Sequence, residues 1–464
     1  MRHAQGRIGE CQIMARTAKQ DQVRELQRTL YRAAKADPAR RFHALYDKVS
    51  RRDVLERAWE LVRANKGAAG IDQQTIADIE RYGVSRLLDE LTADLRDGRW
   101  RPLPARRVFI AKPGREELRP LSIPAVRDRV VQSAVKLVIE PVFEADFLPC
   151  SFGFRPKRSQ HDALQVLIDQ SWKGRRWVLE SDIANCFDAI PHSGLMSAIE
   201  ERVSDRQLLK LLRAMLRAGV MQDGAVHREV TGTPQGGVLS PVLANVYLHR
   251  LDRQWTERGH GVLARFADDL VVCCHTKREA EAALVALRSI LAELGLEPKA
   301  AKTRIVHLTD GGEGLDFLGF HHRRVRGERG YKHLRFLARW PSREAMQRAR
   351  DRIREITDSK RLRDPVEVIV QELNRFLRGW ANYFRYGNSR LHFTRITTYA
   401  LRRLALFVAK RHQRRSGYGM TVVAFVSPNR MGLVNLDGLV VTPSPFRDWW
   451  VKRGKPNAGG EGRR

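Results

Sequence analysis

The stretch Val262-Leu263-Ala264-Arg265-Phe266-Ala267-Asp268-Asp269-Leu270-Val271-Val272-Cys273 decides the fold. Two short apolar runs flank a pair of aspartates, which predicts two strands joined by a tight turn. Aspartate is common in turns because its side chain bonds the nearby backbone, so the pair alone says little. Far upstream, Trp177-Val178-Leu179 leads into Asp182, a second apolar strand ending on a carboxylate. Magnesium takes hard oxygen ligands, through one or two carboxylates plus substrate phosphates. Two such ions, ~3.5–4 Å apart, stabilise the attacking and leaving oxygens of phosphoryl transfer. Two strand-borne carboxylate positions brought side by side would supply that site.

Outward from these strands, residues 21–63 carry apolar positions such as Val23, Leu26, Leu30 and Tyr31 at helical spacing. Asn65-Lys66-Gly67 breaks the helix and Gly70-Ile71-Asp72 starts a new unit. Residues 106–124 alternate around Pro113-Gly114, a hairpin with a basic tip. Residues 125–146, 193–219 and 278–295 read as helices, the last ending at Gly295. Beyond 341 the pattern is helical to about 415, and the remainder is irregular. The expected fold is α+β, a core with a small antiparallel sheet followed by a helical module.

The chain has 84 Lys+Arg against 53 Asp+Glu, a net +31. Such a charge points first to nucleic acid and second to an acidic membrane surface. With 43% hydrophobic residues, wholesale disorder is excluded. No apolar run approaches ~18 residues, so no membrane span is expected. No signal peptide opens the chain, and Glu10 with no Ser-rich stretch argues against a transit peptide. The five cysteines form no C-x-x-C pair, which excludes a recognisable zinc ribbon or disulfide framework. This fits a reducing compartment, with bacterial cytoplasm as the expectation. Residues 341–464 hold 26 basic and 10 acidic side chains, just over half of the excess, whereas residues 1–50 hold 11 and 5. Within 371–430, twelve Lys and Arg stand against Glu372 alone and are interleaved with Trp380, Tyr383, Phe384, Tyr386, Phe393 and Tyr399. Arginines can take phosphates while such rings stack on bases.

Around Asp182 the text is Glu180-Ser181-Asp182-Ile183-Ala184-Asn185-Cys186-Phe187-Asp188, and around the turn Phe266-Ala267-Asp268-Asp269. Between them lies Thr233-Pro234-Gln235-Gly236-Gly237-Val238-Leu239-Ser240-Pro241. This ordered set resembles reverse transcriptase motifs A, B and C. Lys112 and Arg119 sit in what looks like the fingertip hairpin, and Ser151-Phe152-Gly153-Phe154-Arg155-Pro156 resembles the next fingers block. Gly295-Leu296 through Lys302-Thr303 resembles motif D, and Leu315-Asp316-Phe317-Leu318-Gly319-Phe320 the primer-grip region. Gly70-Ile71-Asp72 fits the extra N-terminal block of group II intron reverse transcriptases. Leu373-Asn374-Arg375-Phe376-Leu377-Arg378-Gly379-Trp380-Ala381-Asn382-Tyr383-Phe384 is similar to the maturase motif of group II intron-encoded proteins.

The resemblance, from about residue 50 to 425, implies a right-hand polymerase. Fingers and palm would occupy 51–335 and a helical thumb/maturase domain 336–425. A basic extension (1–50) would precede them and a basic tail (426–464) follow. It implies an RNA-directed DNA polymerase with two Mg²⁺ ions held by Asp182, Asp268, Asp269 and the Ile183 carbonyl. Lys112 and Arg119 would grip the incoming triphosphate, Phe187 would exclude a ribose 2′-hydroxyl, and Gln235 would contact the nascent base pair. Lys302 would protonate the pyrophosphate or only screen it. Arg375, Arg378, Trp380, Tyr383, Arg385, Arg402 and Arg403 would bind RNA. The expected partners are group II intron RNA, an RNA template with DNA primer, deoxynucleoside triphosphates and target DNA.

Two departures stand out. Phe266 replaces the family's usual Tyr, keeping the ring and losing a hydroxyl. No His-Asn-His endonuclease with paired cysteines follows the maturase region, and Trp449-Trp450-Val451-Lys452-Arg453-Gly454-Lys455 reads either as a DNA-binding remnant or as a disordered basic tail. The alternatives are a splicing cofactor with a dead polymerase, which intact Asp182, Gln235, Asp268 and Asp269 speak against, and a domesticated reverse transcriptase in DNA repair or phage defence.

Overall fold

The structure, a computed structural model, describes residues 22–111, 118–222, 225–227, 231–232, 236–327, 334–427 and 430–441. Five helices come first: α1 (22–36), α2 (Tyr46–Val49), α3 (Arg52–Ala64), α4 (Ile76–Tyr82) and α5 (Val84–Arg96). The helix expected over 21–63 is thus broken, and the break begins at Asp37-Pro38. Proline has no amide hydrogen and turns its predecessor away from helical angles. The hairpin follows as β1 (Ala105–Ala111) and β2 (Leu118–Ile123), with Arg106 opposite Ile123. Its tip, including Lys112, lies outside the described residues. Helix α6 (Val126–Glu144) is buried on most sides, and α7 (Gln160–Trp172) starts from a Ser159–Asp162 capping box.

Strand β3 (Trp177–Asp182) leads to α8 (Cys186–Ala189), α9 (His192–Glu200) and α10 (Arg206–Arg217). The helix expected over 193–219 is therefore two. One Asp205 oxygen caps α10 at the Gln207 and Leu208 amides, while the other accepts from the Leu45 and Tyr46 amides where α2 begins. Next come β4 (Val220–Gln222), β5 (Ala225–His227), α11 (Ser240–Arg258), β6 (Val262–Phe266), β7 (Asp269–Cys274), α12 (Lys277–Glu293) and β8 (Arg304–His307). Strands β9 (Leu315–Phe317), β10 (Phe320–Arg326) and β11 (Arg335–Pro341) precede the helical end. That end comprises α13 (Arg343–Ile356), α14 (Val366–Phe384), α15 (Arg390–Arg411) and α16 (Ser416–Met420), then a π-helical turn, Thr421–Val426.

The central sheet is antiparallel in the order β6-β7-β3-β8, flanked by β2-β1-β4-β5 and β11-β10-β9. Side chains alternate across a strand, and here the alternation serves two cores. Leu179, Leu270, Val272 and Cys274 enter one, with α6 and α9 to α12. Val178, Ala264, Val271 and Cys273 enter the other, with α7 and α13 to α15. This second core runs without interruption past residue 335, so the helical end is packed on the back of the central sheet.

At the base of the first hairpin, Asp128 in the first turn of α6 is buried. One carboxylate oxygen accepts from the Leu103 amide at 2.9 Å and the other has no partner among the described residues. Burial, with a smaller push from Asp72, raises its pKa to about 7 against the pull of the Leu103 amide and Arg127. A carboxyl with a raised folded-state pKa contributes stability that is present below its unfolded pKa of 3.8 and lost as pH climbs through about 7. Asp128→Asn keeps an acceptor for Leu103 and cannot ionise. We expect it to flatten the fall in urea stability between pH 5 and 8 and to raise the midpoint at pH 8. A steeper fall than in the parent would overturn this.

Candidate active site

Antiparallel pairing sets Asp182, the last residue of β3, directly opposite Asp269, the first of β7. Asp269 in turn faces Phe266 across the β6–β7 hairpin, leaving Ala267 and Asp268 as the turn. Ala267 is held left-handed at φ 57, which costs a non-glycine residue about 1–2 kcal/mol. The Ile183 amide donates to the Asp268 carbonyl at 3.2 Å, and the Lys299 amide to the Asp182 carbonyl at 2.7 Å. All three expected carboxylates thus stand at one end of the central sheet.

What holds the strained turn is a residue that sequence reading passed over. Arg265 and its partner Asp252 are both fully buried, with Nε and Nη2 donating to the two carboxylate oxygens at 2.8 and 2.6 Å. Burial works against the Arg265 charge, yet Asp252 keeps its pKa above the ordinary value. Nη1 donates to the Ala267 carbonyl at 3.0 Å and to Asn245 Oδ1 at 3.2 Å, and Nη2 also to Ser151 Oγ at 2.8 Å. Asn245 and Asp252 lie two turns apart on α11, so they share a face. Asn245 Nδ2 donates to the Gly153 carbonyl at 2.8 Å. A Cβ on Gly153 would come within 2.5 Å of the Ala267 amide nitrogen, so only glycine admits this approach. The available signal was a charged residue at an inward position of an apolar strand, which demands a buried partner.

Around the carboxylates, Lys302 Nζ lies 2.8 Å from Asp182 Oδ2 and 3.8 Å from Asp269 Oδ1. Burial opposes its charge, but Asp182 and then Asp269 hold its pKa above the usual lysine value. Burial, then the charge of Asp182, raises Asp268, and Arg119 is near enough to pull it down. Burial raises Asp269 to about 7 against Lys302, with the Asp182 and Asp268 charges adding to the rise. Phe187 on α8 is half-buried against the first core. Gln235 lies outside the described residues, but its flanks are pinned. A Cβ on Gly232 would meet the Asp188 backbone at 3.0 Å, and one on Gly236 the Ser122 carbonyl at 2.6 Å. Among the described residues no three His, Cys, Asp or Glu side chains are gathered to hold an ion unaided. The donors still suit magnesium, which binds through few carboxylates and completes its shell with phosphates and water. The Lys302 ammonium between Asp182 and Asp269 marks where positive charge is favoured.

The C-terminal candidates separate. Arg375, Arg378 and Arg402 are exposed, whereas Arg403 donates to Thr357 and the Arg385 guanidinium lies over Tyr386 at 5.5 Å. The interleaved rings face inward. Trp380, 8% exposed, packs between Phe384 and Phe393, with ring centroids 5.0 and 5.2 Å away. Tyr383 donates its hydroxyl to the Leu318 carbonyl at 2.8 Å and packs on Phe320. Aromatics at helical spacing form an inter-helix core here, because a helix exposes only one face. Burial raises Tyr383 to about 12, Arg348 opposes it, and Asp269 adds to it. Helix α14 thus comes within electrostatic reach of the carboxylates. A groove of about 730 Å³, lined by Leu318, Arg348, Arg352, Phe376, Trp380 and Tyr383 among others, runs beside it.

Residues 110–322 match the model of reverse transcriptase (RNA-dependent DNA polymerase), and residues 346–422 that of the group II intron maturase-specific domain. Protein YkfC of Escherichia coli is 34% identical over 364 residues, covering 70% of this chain and 93% of that protein. The group II intron-encoded protein LtrA of Lactococcus lactis subsp. cremoris is 38% identical over 214 residues, covering 46% of this chain and 35% of LtrA. An uncharacterized 91 kDa protein in the cob intron of Schizosaccharomyces pombe is 35% identical over 204 residues, 43% of this chain and 24% of its own length. The chain thus spans nearly all of YkfC and about a third of LtrA.

Arg265→Met should destabilise by about 3–5 kcal/mol, because Asp252 is left charged and alone. The double variant Arg265→Met/Asp252→Leu removes both charges and should recover most of that loss. Chemical unfolding of the three proteins checks the prediction. A double variant no more stable than the single one would show that the ion pair is not what the turn rests on.

Proposed function

The chain belongs to the group II intron reverse transcriptase/maturase family, and from that membership we propose that it is an RNA-directed DNA polymerase. It also binds its intron RNA, assists splicing and supports retrohoming. The observation that carries the polymerase half is the cross-strand pair Asp182 and Asp269 with Asp268 on the adjoining turn. Burial and the charge of Asp182 hold Asp268 and Asp269 above the usual carboxylate range even with Lys302 beside them, which supports a further cationic occupant. Asp182, Asp268 and the Ile183 carbonyl, with Asp269 beside them, would hold magnesium, which when bound neutralises charge on the attacking and leaving oxygens.

The chain's own groups do the rest. Arg119 and Lys112 take triphosphate charge, since cationic donors form strong bonds to phosphate. Lys302, drawn toward the carboxylates, screens or protonates the leaving pyrophosphate. Phe187 closes the sugar side of the nucleotide against a 2′-hydroxyl. Gln235 meets the nascent base pair, between Gly232 and Gly236, which pack against Asp188 and Ser122. The exposed Arg375, Arg378 and Arg402 offer phosphate contacts to the intron RNA, and target DNA is the further partner of retrohoming. Trp380 and Tyr383 support that surface from beneath.

Purified protein with Mg²⁺ should extend a DNA primer on an RNA template. Asp268→Ala should lower the rate at least about a hundredfold, the scale of losing one preorganised electrostatic contact. No deoxynucleotide incorporation by the parent would sink the polymerase reading. Phe187→Ala should raise incorporation of ribonucleotides relative to deoxynucleotides by about tenfold or more, the worth of a pocket contact. An unchanged ratio would remove Phe187 from the gate. Splicing of the intron RNA at low Mg²⁺ should improve with protein even when Asp268 and Asp269 are both Ala. A double variant that binds RNA yet gives no assistance would overturn the division of labour.

A further inference from the structure

At the end of the central sheet away from the carboxylates, Trp177 opens β3 and faces His307, which closes β8. Their rings lie flat on one another, with centroids 4.2 Å apart and planes 2° from parallel. Trp177 is half-buried and packs on the first core, so it is the fixed member. His307 is exposed, and among the described residues no further strand pairs with β8 on its outer side. The pair is roughly 17 Å from Asp182, five residue steps at about 3.3 Å each.

Three exposed cations lie on the segments that adjoin the stack. Lys173 and Arg176 lie on the loop entering β3, and Arg278 on the first turn of α12, all exposed. Among the described residues none of the three has an ion-pair partner. The loop and the start of α12 are neighbours, since a Cβ on Gly174 would sit 3.8 Å from His275 Nδ1. The nearby acids are engaged. Glu279 accepts from the His275 amide at 2.7 Å, Glu281 pairs with Lys277, and Asp310 with Arg324 and Arg335.

We propose that the Trp177–His307 stack is a second RNA-binding platform, on which an unpaired base of a single-stranded segment extends the stack while Lys173, Arg176 and Arg278 take the adjoining phosphates. Aromatic faces bind bases of any identity, and cations beside them track the backbone. Bases inside a duplex have their faces covered, so a loop or single strand is the partner. The distance from Asp182 separates this strand from the one being copied. The inference rests on the chain being an RNA binder, and it extends the contact surface to a face of the palm remote from residues 341–425.

The test uses the full chain with its cleft filled by a chain-terminated DNA primer on an RNA template. A short fluorescein-labelled single-stranded RNA is titrated against that complex. We expect it to bind, His307→Ala to weaken it about tenfold, and His307→Phe to retain it. Arg176→Ala should weaken it and steepen no other property, and duplex RNA should compete poorly. Extension of the primer in an unterminated parallel assay should match the parent in all variants. Absence of labelled-RNA binding to the filled complex, equal affinity of His307→Ala and parent, or equal competition by duplex would each overturn the platform. Because extension is read separately, a protein that extends no primer but loses RNA with His307→Ala would sink the polymerase reading and keep this one.

Discussion

A guanidinium and a carboxylate with no access to water sit beneath the turn that carries Asp268. Removing both ions from water costs several kcal/mol each, and only their mutual bonds and further donors offset it. That constraint shapes everything near it. Arg265 must be met by Asp252 and Asn245 from α11, by Ser151 from the segment before α7 and by the Ala267 carbonyl. Four residues from three segments are thereby locked to one side chain. The left-handed Ala267 persists because its surroundings over-determine it. The carboxylates at the end of the sheet inherit their positions from a fully buried pair beneath them.

The two-faced central sheet is the second organising feature. Each strand supplies alternate residues to two cores, so a shift of one residue in register would exchange them and also unpair Asp182 from Asp269. Because the second core includes α13 to α15, the helical end is joined to the central sheet through packed side chains. Tyr383 shows the closeness of that join. It is part of the maturase motif, yet it bonds Leu318 and lies within the field of Asp269.

Charge and aromatic residues are distributed differently from what their interleaving suggests. Along α14 the arginines at 375 and 378 face solvent, while Trp380 faces Phe393 of α15 and Phe384 faces Phe320 of β10. The rings of Trp380 and Phe384 are thus turned away from the neighbouring Arg375 and Arg378 by the helix itself. A stack with an exposed member is instead formed by Trp177 with His307, residues far apart in the chain that strand pairing brings together.

The α+β division, the strands around Asp182 and Asp268, the hairpin over 106–124 and the family motifs were all legible in the linear text, because strand alternation, turn chemistry and ordered motifs are local. Helix breaks at Asp37-Pro38 and Ser204-Asp205 were missed although proline and a capping aspartate signalled them. The partners that Arg265 takes, the inward rings of α14 and the Trp177–His307 stack were beyond reach. Each depends on which distant segment lies opposite, and no local pattern encodes a partner's identity. The primary structure therefore specified the chemistry and the elements that carry it. Three-dimensional packing assigned which charged and aromatic side chains are buried, because burial is a property of the assembled cores and not of any one segment.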